Sequence, residues 1–166
     1  MEKVKMSISE AQKMIRLKKE QVQELLEQER RISTTSYLRD ENPMESMYDF
    51  VKFQKEISEI YETILRIKHS INTFNLNTVL NGFEFTIDVA LVRLSILNEQ
   101  KSRLKKMKTK DALFRRTRPD GTVEFTKLNY DLNDVKQEYD KIDEEIKGIQ
   151  LSLDSMNMSS YIEVEI

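Results

Sequence analysis

The sequence predicts an all-α fold: long antiparallel helices forming a coiled-coil-like four-helix bundle or helical hairpins, with one or two short β-hairpin connections. Three observations carry this. Phe50, Phe53, Ile57, Ile60, Ile64, Ile67, Ile71 and Phe74 succeed one another at alternating steps of three and four, which places them in one stripe along a helix. Leu128, Leu132, Val135, Tyr139, Ile142, Ile146, Ile149 and Leu153 repeat that spacing nearer the C-terminus. The 166 residues include only three Gly and two Pro, too few for the many turns of a sheet protein.

The elements follow in order within one helical domain, 1–166. Ser7 with Glu10 forms a capping box that opens a helix over about 8–32, whose seam runs through Ile8, Ala11, Ile15, Val22, Leu25 and Ile32. Ser33 to Glu45 disfavours helix and reads as a flexible loop over about 33–44, with Pro43 placed to open the next helix. The central helix occupies about 45–74. Asn81-Gly82, between Val79-Leu80 and Phe83-Glu84-Phe85, signals a short hairpin. Thr86 caps a third helix over about 87–108. Its first part, Ile87 to Leu97, is so apolar that burial on most sides is expected. Pro119-Asp120-Gly121 marks a turn that lets Leu113-Phe114 pair with Val123-Glu124-Phe125. A fourth helix spans about 131–156, and the alternation in Tyr161-Ile162-Glu163-Val164-Glu165-Ile166 predicts an extended tail over 158–166.

Composition narrows the function. Lys and Arg number 27 against 29 Asp and Glu, so the chain is nearly neutral overall. Cysteine is absent, which excludes disulfides and thiolate chemistry and fits a reducing compartment. There is no apolar stretch of a secretory signal or of membrane-span length, so a cytoplasmic location is expected. No catalytic, cofactor-binding or metal-binding residues are assigned. His69 is the one histidine and has Arg66 three residues before it, so the Glu-x-x-His motif of di-metal bundles is missing. The three Gly are too scattered to cradle a phosphate. The expectation is no enzyme and no cofactor.

The one concentrated feature is basic. Lys101, Arg103, Lys105, Lys106, Lys108, Lys110, Arg115, Arg116 and Arg118 stand against a single acid, Asp111. These are the candidate contacts for an anionic partner such as nucleic acid. The competing expectation is that they pair with the acidic outer face of the last helix, through Asp134, Glu138 and Asp140.

Ile71-Asn72-Thr73 to Thr78, then Thr86-Ile87-Asp88-Val89-Ala90-Leu91 to Leu97, then Ser160-Tyr161 carry a further likeness. With the helix order around them, the chain resembles the septicolysin-like family of small uncharacterised bacterial helical proteins. The resemblance implies a helical fold, a bacterial source and, from the family's name, a cytolysin. It carries no catalytic residues. The sequence is therefore read as a non-enzymatic interaction or scaffold protein that self-associates as a homo-oligomer. The alternatives are a membrane-active, cytolysin-like protein and a nucleic-acid-associated protein using 101–118.

Overall fold

A computed structural model of the chain describes residues 3–42, 45–46 and 48–165. The order is β1 (Lys3–Ser7), α1 (Ile8–Ile32), α2 (Phe50–Asn77), α3 (Ile87–Lys108), β2 (Leu113–Thr117), β3 (Val123–Lys127), α4 (Leu132–Ser159) and β4 (Tyr161–Glu165). The all-α expectation is thereby corrected. The described residues are mixed, 64% helix with 14% strand, and their strands form two separate two-stranded antiparallel sheets. One is the hairpin β2–β3. The other, β1–β4, joins the two ends of the chain, and local sequence gives no notice of a pairing that distant.

Two compact units result, residues 1–77 with 156–166, and residues 78–155. In the first, α1 and α2 run antiparallel and β1–β4 closes one end. The register sets Val4 opposite Val164 and Met6 opposite Ile162, so one face of this small sheet is apolar. That face meets the helices: Met6, Ile8, Ala11, Ile67, Ile71, Ile162 and Val164 form one buried cluster, with Val4, Met14, Ile15 and Phe74 against it. The expected capping box is present. The Ser7 hydroxyl oxygen accepts from Glu10 N–H at 3.2 Å, and Ser7 N–H donates to Glu10 Oε2 at 2.7 Å. Those bonds favour the ionised carboxylate and hold Glu10 below its ordinary pKa.

Helix α2 begins at Phe50 and reaches Asn77, later at both ends than the expected 45–74. Pro43 lies outside the described residues. Of the predicted stripe, Ile57, Ile64, Ile67 and Ile71 are buried, while Phe50 stays 59% exposed. The connection before α2 is tied to α1: Tyr48 Oη donates to Glu29 at 2.5 Å, which pushes the phenol up to about 12.

In the second unit, the Thr86 hydroxyl accepts from Val89 N–H at 3.5 Å and caps α3. Ile87, Ala90, Leu97 and Leu104 form its buried seam, facing Val135, Ile142, Ile146, Ile149 and Leu153 of α4. The short Asn81-Gly82 hairpin is present as a brief connection. The turn is there, with Phe83 N–H donating to Leu80 C=O at 3.0 Å and Gly82 at φ +80°. Its arms pair briefly, with Leu80 N–H donating to Phe85 C=O and Ile87 N–H to Thr78 C=O, both at 2.9 Å, around the bridge Val79↔Thr86, and they are too short for an independent sheet.

Candidate functional site

The basic segment spreads over three local settings. Lys101, Arg103, Lys105, Lys106 and Lys108 lie on the last two turns of α3, Lys110 follows the helix, Arg115 and Arg116 lie on β2, and Arg118 starts the hairpin turn. Three of the nine are engaged. Lys101 occupies the position after Leu97 in the three-four pattern, so it points at α4. There it donates to Asp143 and sits 5.7 Å from the Tyr139 ring. Lys108 lies 4.2 Å from the same ring. Arg118 donates twice to Glu124 across the hairpin, at 3.0 and 3.1 Å. Among the described residues Arg103, Lys105, Lys106, Lys110, Arg115 and Arg116 make no ion pair, and all six are exposed.

The expected partners Asp134, Glu138 and Asp140 are not the acids used. Asp143 takes Lys101, Glu145 takes Arg93 at 2.5 Å, and Glu138 lies 3.9 Å from Lys141 on its own helix. The heptad of α4 explains this. Asp143 and Glu145 flank the buried seam position Ile146 on its two sides, whereas Asp134 and Asp140 project outward. Pairing between α3 and α4 is thus real but confined to the seam's flanks, and it leaves most of the basic segment unneutralised.

Asp143 is the most perturbed carboxylate here. The hydrogen bond from Lys101, then that from Lys147 at 2.6 Å, carries its pKa down from 3.8 to about 2. A carboxyl with a folded value below its unfolded one stabilises the fold above the unfolded pKa. That contribution is expected to vanish as pH falls from about 4 to about 2. In Asp143→Asn, unfolding midpoints followed between those pH values should lose part of the acid dependence seen in the parent chain. Unchanged acid dependence would show that the contact stabilises nothing.

The expectation that Ile87 to Leu97 is buried on most sides is corrected too. Val89, Val92 and Ile96 are 48%, 57% and 52% exposed. Their spacing of three and four makes a second apolar stripe, which borders the α3–α4 seam on one flank. A unit with one partner helix can cover only one stripe. Beside it runs a groove of roughly 430 Å³ whose inner residues Leu97 and Ile142 are buried and whose rim carries Arg93, Glu145, Lys141, Glu138 and Gln100. Sequence reasoning missed this surface because apolar density was read as core. The signal was present in the spacing, since residues 89, 92 and 96 are out of phase with 87, 90, 94 and 97.

His69 lines a different groove, with Lys3, Arg66, Ser70, Glu163 and Glu165. Among the described residues no three of His, Asp and Glu gather as a metal site, and no helix is long and apolar enough to cross a membrane.

No protein-family model and no curated protein matches this chain. Its fold is similar to the crystal structure of a functionally unknown conserved protein from Corynebacterium diphtheriae. The TM-score is 0.70 at 14% identity, covering 96% of this chain and 99% of that one. The likeness is one of fold.

Proposed function

We propose that the chain is a non-catalytic helical interaction module that self-associates, two copies meeting through the α3–α4 face. The observation that supports it is the exposed stripe Val89, Val92 and Ile96 beside its groove. A twofold interface must be self-complementary, each residue meeting its counterpart's partner. The rim meets that requirement by carrying both signs, Arg93 and Lys141 with Glu138 and Glu145. A second copy would supply the cover that this unit's own two helices cannot. The proposed compartment is the cytoplasm, a reading supported by the lack of cysteine.

Sedimentation equilibrium tests this. The parent chain should show a concentration-dependent dimer. Val92→Glu with Ile96→Glu should give monomers with unchanged helical content, since both sites are exposed. A parent chain that stays monomeric through the high-micromolar range, or a dimer indifferent to the double change, would remove the proposal.

A further inference from the structure

Among the described residues nothing covers the hairpin β2–β3. All ten of its residues are exposed, and neither strand has another neighbour. A two-stranded hairpin is marginal in water unless it packs on something, yet this one displays Leu113, Phe114, Val123 and Phe125 at 61%, 53%, 44% and 61% exposure. The register Leu113↔Lys127, Arg115↔Phe125 and Thr117↔Val123 puts three of these on one face, set beside Arg115 and Lys127. Phe114 and Arg116 occupy the other face. Around them the charge is segregated. Residues 101–127 hold ten Lys and Arg against Asp111, Asp120 and Glu124, an excess of seven positive charges in a chain of net charge −2. The remainder therefore carries an excess of nine negative charges.

From this combination we infer that the β2–β3 hairpin, with the end of α3, docks on an anionic phospholipid surface. Such a surface fits both halves of the observation. Apolar side chains enter the region between headgroups and acyl chains, while Arg and Lys extend along them to the phosphates. Arg115, Arg116, Lys110, Lys106 and Lys105 are free to do so, and each basic residue near a negative leaflet adds to the attraction. A nucleic acid would use the cations and stack bases on Phe114 and Phe125, but it gives Leu113 and Val123 no apolar surroundings. The lipid surface accounts for the three apolar residues that share a face, Leu113, Val123 and Phe125. The acidic remainder of the chain is repelled by the same surface, so contact is limited to this end of the second unit. Binding of this kind is peripheral, consistent with the absence of a spanning helix among the described residues.

Vesicle flotation with the full chain tests the inference. Vesicles of phosphatidylcholine mixed with phosphatidylglycerol should carry the protein, and phosphatidylcholine alone should not. Arg115→Glu with Arg116→Glu should weaken the partition by more than about tenfold. Leu113→Ser with Val123→Thr should also weaken it several-fold. Retained far-ultraviolet dichroism keeps those variants interpretable. The chain has no Trp, so Phe125→Trp gives a reporter whose emission should shift to the blue on anionic vesicles. Equal partition into both vesicle types, or no blue shift, would overturn the inference. So would loss through the arginine reversals alone combined with tight binding of a random-sequence oligonucleotide, which would make the hairpin a nucleic-acid site. Each outcome is read without reference to the dimer, because Val92 and Ile96 lie more than two turns before Lys105 on α3.

Discussion

Ile67→Ala is expected to destabilise the protein by about 2–5 kcal/mol, the range for truncating a fully buried Ile. Ile67 is 0% exposed and lies where α2 meets the sheet formed by the two chain ends, within the cluster of Met6, Ile8, Ala11, Ile71, Ile162 and Val164. Its removal takes away contacts to three other elements at once. None of them is a long flexible side chain at a free surface, so collapse into the void is restricted. Urea unfolding followed by dichroism measures the effect. A loss below about half a kcal/mol would mean that α2 is not the central element of its unit. The same change at Leu65, which is 60% exposed on the opposite side of α2, should fall within about half a kcal/mol of the parent.

Val164→Asp should be at least as severe, at about 3–5 kcal/mol, the scale of a buried charge left without a partner. Val164 is 0% exposed on β4 and faces Val4 across the β1–β4 ladder. No basic side chain belongs to the buried cluster around it. The carboxyl would therefore have to be desolvated or taken up protonated, and either course opposes folding. The control is Glu165→Gln, on the outward face of the same strand, which should be nearly neutral. If Val164→Asp unfolds at the parent's denaturant concentration, the terminal sheet is not part of the cooperative unit.

These two residues also mark what the sequence could and could not reveal. Ile67 belongs to a stripe that any helical reading finds, because one period of three and four holds over the twenty-five residues from Phe50 to Phe74. Likewise the Ser7–Glu10 box and the Thr86 cap are local chemistry, readable within four residues. Val164 was legible as part of an alternating tail, but its partner was not. Lys3–Ser7 is only five residues long and alternates weakly, and its mate lies at the far end of the chain. Nothing local encodes that closure, and this is why the chain reads as all-α until the two ends are seen together. The candidate surfaces show the same division. The cations of 101–118 were evident in the sequence, whereas the choice of Asp143 and Glu145 over Asp134 and Asp140 depends on helix phase. The exposure of Val89, Val92 and Ile96 depends on how many helices share the unit, and composition does not state that number.

The proposed self-association is most directly tested by distance. The chain has no cysteine, so Gln100→Cys places a single thiol at the rim of the α3–α4 groove. Labelled there with a nitroxide, a monomer contains one spin and a dimer two. The α3–α4 interface predicts one resolved inter-protomer distance by double electron–electron resonance, lost when Val92→Glu and Ile96→Glu are added. A featureless decay at concentrations where the unlabelled chain is studied, or a distance that survives those two changes, would contradict it.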